Sequence, residues 1–403
     1  MKILLATSAI IPAGGGIASY NQELINALKK IAVFSVLTEE NLNECQGIEK
    51  VYSTYGKNCF SYEYCCEMVD QINNDNYDII INSGSLLMTI MAPYVKVPIC
   101  SISHFVDGML ALKAGFNSKY ISKIIALSYY GKKHLKERFN IQDEGCVKVV
   151  YNFVHMNTMR FNEHKINKQP LMIVYPGGTS IKKSFDVVMK VLRKLIRTNL
   201  DFKFFWLGGT TLPSAKICLA STCDKLIKED SRVVFTGRIP RNEAVSIIQT
   251  ANVFLLPSRG EGCPMTLLEA MQEGCIPVVS DAKHGSRELL EDGNFGVIVK
   301  NEKIESLYLA LRDIIEHPDK YTSNYHKTFD YVREKLSEDK WSNTMNSIIQ
   351  ECIATKKNRE VLSELHFKDN VQQLKKEIKK ERAKTMLSSL NTSLQCSWLY
   401  LTK

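Results

Sequence analysis

Glu261 and Glu269 lie on one stretch, Pro257-Ser-Arg-Gly-Glu261-Gly-Cys263-Pro-Met265-Thr266-Leu-Leu-Glu269. Carboxylates suit ligands that carry hydroxyls or develop positive charge. Each accepts two hydroxyl hydrogen bonds at once, and each can stabilise an oxocarbenium-like centre. The apolar run 253–256 before them predicts a strand, and 257–263 predicts a loop. Pro264 suits the first turn of a helix, where its missing N–H costs nothing. Leu267, Leu268 and Met271 give that helix an apolar face, and Gly274 ends it. Glu261 is thus expected in the loop and Glu269 about two turns into the helix, both able to face one crevice. The N–H groups of Met265 and Thr266 at the helix start can hold a sugar hydroxyl or a phosphate oxygen.

Three further segments could touch a ligand. Gly14-Gly15-Gly16 follows the first apolar run, and Gly177-Gly178 follows another, with Lys182 and Lys183 close behind. Glycine turns of this kind let a backbone approach a ligand closely. His104 falls in Ser101-Ile-Ser-His104-Phe-Val-Asp107, directly after an apolar run. No Gly-x-Gly-x-x-Gly occurs, which disfavours a nicotinamide enzyme.

The elements that must position these residues alternate between strands and helices. Strands are predicted at 2–6, 78–81, 99–103 and 124–127, then again at 171–175, 202–207, 233–236, 253–256 and 277–280. Helical patterns cover 18–30, 185–198 and 337–354. Apolar runs buried on both faces belong to parallel α/β sheets. A polar stretch at 162–170 separates the two series. The expectation is two doubly wound domains, with ligands beyond the carboxyl ends of the strands. The boundaries are 1–165 for the first domain, 166–336 for the second, 337–355 for a helix returning to the first, and 356–403 for a tail.

The segment around Glu261 and Glu269 resembles the Glu-x7-Glu motif of retaining glycosyltransferases of the GT-B fold, especially glycosyltransferase family 4. The resemblance runs in order from about residue 2 to 354. It includes the step at Ser128, the segment Val149-Val-Tyr-Asn152, the turn Thr236-Gly237-Arg238-Ile239, and Ser280-Asp281 with His284-Gly285. It implies two Rossmann-like domains facing across a cleft, with an acceptor-side first domain and a nucleotide-sugar-binding second domain. By the same resemblance Glu261 contacts the donor sugar, Glu269 the ribose hydroxyls, and His104 the sugar. The backbone at Arg238 and Ile239 reads the base, Gly15 and Gly16 lie against the donor, and Cys263, Met265 and Thr266 line the site. Lys183 matches the lysine of the family's diphosphate clamp. Gly178 occupies the position where the clamp arginine is expected, so one cation of the clamp is missing.

The implied reaction transfers a hexose-type sugar from a nucleotide-diphosphate sugar to a hydroxyl of a glycan or lipid-linked acceptor, with retention. Its expected setting is capsule or lipopolysaccharide synthesis. No Asp-x-Asp occurs, no cysteine/histidine cluster has zinc spacing, and neither metal nor cofactor is expected. The alternatives are a sugar-nucleotide epimerase of the same fold and a catalytically weak nucleotide-sugar-binding module.

Composition bounds the rest. The chain has 403 residues, 45% hydrophobic and 24% charged, ordinary for a globular protein of two domains. The net charge is +9, and residues 356–384 hold ten Lys/Arg against five Asp/Glu, so the bulk is only mildly basic and nucleic acid is not an expected partner. The 12 cysteines read as free, mostly buried thiols of a reducing compartment, and no signal peptide or membrane span is expected. In the tail, Val371, Leu374, Ile378, Leu387, Leu390, Leu394 and Trp398 recur at helical spacing between lysines. That pattern resembles a basic amphipathic helix, expected to make peripheral contact with an anionic membrane from the cytoplasm.

Overall fold

A computed structural model of the chain describes residues 1–10, 16–155, 170–179, 181–209, 227, 229–282, 284–355 and 357–401; for 181, 322–325 and 388–401 it describes the backbone alone. Gly14 and Gly15 lie outside the described residues.

The chain divides into two compact units. One comprises Met1–Asn152 with Glu338–Met386, the other Phe153–Ser337 with Leu387–Lys403. The first unit holds seven parallel strands in the order β3-β2-β1-β4-β5-β6-β7. They are β1 (Lys2–Thr7), β2 (Val33–Thr38), β3 (Lys50–Ser53), β4 (Ile79–Ser83), β5 (Ile99–Ser103), β6 (Lys123–Ala126) and β7 (Val147–Val149). The second unit holds six parallel strands in the order β10-β9-β8-β11-β12-β13. They are β8 (Leu171–Tyr175), β9 (Phe202–Leu207), β10 (Val233–Gly237), β11 (Val253–Leu256), β12 (Ile276–Ser280) and β13 (Val297–Val299). In both sheets the strand order reverses after the first strand, between β1 and β4 and between β8 and β11. Neighbouring loops diverge there and open a crevice at the carboxyl ends.

Burial explains the strand sequences. β4, β5, β11 and β12 are buried at every position because helices cover both faces, and their sequences are accordingly continuous apolar runs. The helix Phe185–Leu195 places Phe185, Val188, Leu192 and Leu195 on one side against β8 and β9. Sequence reading omitted β2, β3, β7 and β13. β3, β7 and β13 are short and partly exposed, and β2 follows its helix without a glycine or proline to announce it.

The tail requires a correction. The helix Glu364–Leu401 does not offer Val371, Leu374 and Ile378 to solvent or lipid. With Phe367 they are buried in the core of the first unit. Arg138 pairs with the buried Glu381 at 2.8 Å. Ahead of the helix, Arg359 donates to the carbonyls of Ala92, Tyr120 and Val97 at 3.3, 2.6 and 3.1 Å. Tyr120 donates to Glu360 at 2.6 Å. An apolar stripe can meet lipid or protein equally well, and periodicity does not distinguish them.

No helix of the described residues is long and apolar enough to cross a membrane. Nine described cysteines are free, six of them buried.

Candidate functional site

The second unit's site begins where β8 ends. Tyr175 is buried, and its hydroxyl donates to the Lys183 carbonyl at 2.9 Å, folding the loop back on the strand. A side chain at Gly177 would strike the Tyr175 ring at 2.0 Å. Gly178 donates its N–H to the Leu207 carbonyl at 2.9 Å and accepts the Trp206 indole N–H at 2.8 Å. Its φ is +52°, and a Cβ there would lie 2.9 Å from the Gly209 carbonyl oxygen. The glycine that replaces the expected arginine is therefore required by backbone geometry, since no L side chain fits this conformation at that distance.

The second wall is the loop after β11. Arg259 donates its N–H to the Lys182 carbonyl at 2.8 Å, joining the two loops. Its guanidinium grips Asp186, in the first turn of the helix Phe185–Leu195, with two bonds of 2.9 Å. Glu302 takes its Nε. The Ser258 carbonyl accepts from the Ser280 hydroxyl at 2.5 Å and from His284 Nε2 at 3.1 Å. The other ring nitrogen, Nδ1, accepts the Ser286 N–H at 3.2 Å, so His284 is the neutral Nε2–H tautomer. Burial holds its pKa below the usual histidine value.

Within this frame Lys183 Nζ pairs directly with Glu261 Oε1. The Glu261 side chain is 7% exposed and Lys183 29%. Glu269 pairs with Arg241, the first residue of the helix Arg241–Thr250 after β10. The helix behind Glu261 is Met265–Gln272, and Pro264 is its N-cap at φ −71°, ψ 118°. This corrects the expectation of a proline inside the first turn. The extended Pro264 leaves the Met265 and Thr266 N–H groups at the open end of the helix, with no intrahelical acceptor. Cys263 is buried just ahead of them. Arg238 is exposed and Ile239 half-buried after β10. The structure thus brings Lys183 to Glu261, and Arg241 to Glu269.

His104 and Gly16 belong to the first unit. Gly16 starts the helix Gly16–Leu28, with open space where a Cβ would stand. His104 follows β5, its Nε2 2.7 Å from the Ser83 hydroxyl and its ring edge-on to Tyr20 at 4.8 Å. Burial lowers its pKa to about 4, so the ring is neutral at physiological pH.

Sequence reading missed the roles of Arg241, Arg259, Asp186 and Glu302. Arg259 and Asp186 are 73 positions apart, and no local signal links them. Among the described residues no cluster of three or more His, Cys, Asp or Glu could hold a metal ion.

Residues 157–329 match the sequence profile of glycosyl transferases group 1. The matched segment spans most of the second unit. An uncharacterised glycosyltransferase of Haemophilus influenzae is 25% identical over 222 residues, 54% of this chain and 59% of its own length. Another, from Methanocaldococcus jannaschii, is 25% identical over 346 residues, 79% of this chain and 90% of its own. The first alignment therefore spans under two thirds of that relative. Among solved structures, the lipopolysaccharide outer core galactosyltransferase WaaB superposes with a TM-score of 0.68 at 19% identity, covering 87% of this chain and 99% of that one. HepE of Anabaena in complex with UDP gives 0.72 at 15%, covering 87% and 100%. At these identities the likeness is one of fold, and the fold is GT-B, with two parallel-sheet Rossmann-like domains and a helical C-terminal region.

Proposed function

We propose that the chain is a retaining, metal-independent glycosyltransferase of family 4. It moves a hexose-type sugar from a nucleotide-diphosphate donor to a hydroxyl of a glycan or lipid-linked acceptor in cell-surface polysaccharide synthesis. One observation carries the reading: a buried glutamate and a lysine meet at the switch point of the second sheet, where β8 and β11 part. Without ligand they neutralise each other. With donor bound, Lys183 turns to the diphosphate and Glu261 faces the sugar, where positive charge develops as the glycosidic bond breaks. The acceptor oxygen bonds to the anomeric carbon on the face the diphosphate leaves, and the diphosphate takes the acceptor proton. Glu269 exchanges Arg241 for the ribose hydroxyls. The surface-polysaccharide setting draws on WaaB, whose name assigns it to the lipopolysaccharide outer core.

The test is nucleotide diphosphate release from a panel of nucleotide sugars, comparing wild type with Glu261→Ala. Release abolished by the substitution is the expected result. Sugar conversion without release would indicate an epimerase, and binding without either a weak binding module; both would overturn the proposal.

The outer face of the tail helix favours peripheral contact with an anionic membrane at its cytoplasmic side. Lys375, Lys376, Lys379, Lys380 and Lys384 point outward, and Met386 and Leu387 are 66% and 61% exposed. Co-sedimentation with phosphatidylserine vesicles should fall when the five lysines are replaced by glutamine. Unchanged binding would refute the contact.

A further inference from the structure

The first unit holds a buried hydrogen-bond chain whose proton directions can be assigned one by one. Asn21, on the helix Gly16–Leu28, donates its two amide protons to Thr7 Oγ1 at 2.7 Å and to the Ala9 carbonyl at 2.8 Å. Flipping the amide would set its oxygen against a carbonyl that can only accept, so the orientation is forced. Asn21 Oδ1 must then accept, and it takes the Ser83 hydroxyl proton at 2.6 Å. Ser83 has no second proton. Toward His104 Nε2, 2.7 Å away, its oxygen can only accept. The imidazole therefore carries its proton on Nε2.

We propose that Ser83 and Asn21 are positioning residues that lock His104 in the Nε2–H tautomer, leaving Nδ1 as an acceptor for a substrate hydroxyl. The proposal rests on the transferase reading and deepens it. Thr7, Asn21, Ser83 and His104 come from β1, the first helix, β4 and the end of β5. β1 and β4 flank the switch point of the first sheet, where a ligand is expected, and β5 lies beside β4. Asn21 and Ser83 are buried, and the Tyr20 ring edge sets the plane of the imidazole. Among the described residues no protein donor engages Nδ1. A neutral acceptor there takes a hydroxyl and rejects a carboxylate or phosphate, which carry no proton to donate. His104 thus favours neutral sugar groups over uronic acids.

The chain can be tested with and without turnover. Histidine labelled with 15N in the full-length protein reports the tautomer through long-range proton–nitrogen correlations, and His104→Gln assigns the signal. Wild type should show Nε2–H at pH 7, and Ser83→Ala should shift the ring toward the other tautomer. In the release assay Ser83→Ala should lose about tenfold in kcat/KM, the effect of one misdirected hydrogen bond. Replacement by glutamine keeps an N–H for Ser83 but no atom at Nδ1. His104→Gln should therefore keep its thermal midpoint and lose at least about tenfold in rate. An Nδ1–H or doubly protonated ring in wild type would overturn the proposal. So would a Ser83→Ala protein with unchanged tautomer and rate, or a His104→Gln protein with full rate. The tautomer measurement needs no turnover, so it decides the positioning even if wild type releases no nucleotide diphosphate, the outcome that would sink the transferase reading.

Discussion

Removing Lys183 should destabilise the second unit more than removing Glu261. The two side chains form a pair, but their surroundings differ: Glu261 is 7% exposed and Lys183 29%. In Lys183→Met the carboxylate stays in a poorly solvated pocket without its cation. Breaking a buried pair from one side costs about 3–5 kcal/mol, because the remaining charge is uncompensated. Lys183 reaches water in part, so the pair is screened and the loss should be about 2 kcal/mol. For a unit of this size that lowers Tm by roughly 4–8 °C. In Glu261→Gln the ammonium can turn out to solvent on its flexible stem, and the loss should stay below about 1 kcal/mol. Calorimetry of the full chain, with hydrogen exchange at β11 to read the second unit alone, separates the cases. Equal losses for both variants, or no loss in Lys183→Met, would refute the asymmetry. Nucleotide-diphosphate binding should widen the gap, stabilising Glu261→Gln but not Lys183→Met.

Restoring the arginine expected at Gly178 should harm the protein: Gly178→Arg and Gly178→Ala should each cost about 2 kcal/mol or more, since φ is +52° and the Gly209 oxygen stands 2.9 Å from a Cβ. Chemical denaturation checks this, and a stable, more active Gly178→Arg would contradict the geometry. At Ser184 the sign is opposite. This buried serine has φ +59° and an unpartnered hydroxyl, so Ser184→Gly should stabilise by about 1 kcal/mol, measured in the same way. His104 has a folded pKa of about 4, below the 6.5 of a free histidine, so the unfolded chain binds more protons between those values. Its contribution is complete above pH 6.5 and declines as pH falls through 4, by about 3 kcal/mol in all. His284 titrates in the same direction in the other unit, so the difference between wild type and His104→Gln isolates the His104 part. Truncation after Ala354 should destabilise the first unit by several kcal/mol, because it strips Phe367, Val371, Leu374 and Ile378 from the core. Truncation after Lys384 keeps those contacts, and its thermal midpoint should stay close to wild type.

The parallel strands and their crossovers were legible because burial on both faces writes itself as runs such as Ile99–Ser103 and Val253–Leu256. The positions of Glu261, the Gly177-Gly178 turn and His104 were legible for a related reason. Each follows a strand end, and in this topology every strand end faces the same edge of its sheet. Local sequence thus determined which residues stand at the edges. Tertiary structure decided what those residues touch. Lys183 against Glu261, Arg259 across to Asp186, and Asn21 behind Ser83 join residues 78, 73 and 62 positions apart, and such pairings exist only once the strands are in register. The tail shows the same division. Its helical period was plain in the sequence, but the partner of its apolar stripe was not, since burial is a property of two surfaces and the sequence of the helix describes one.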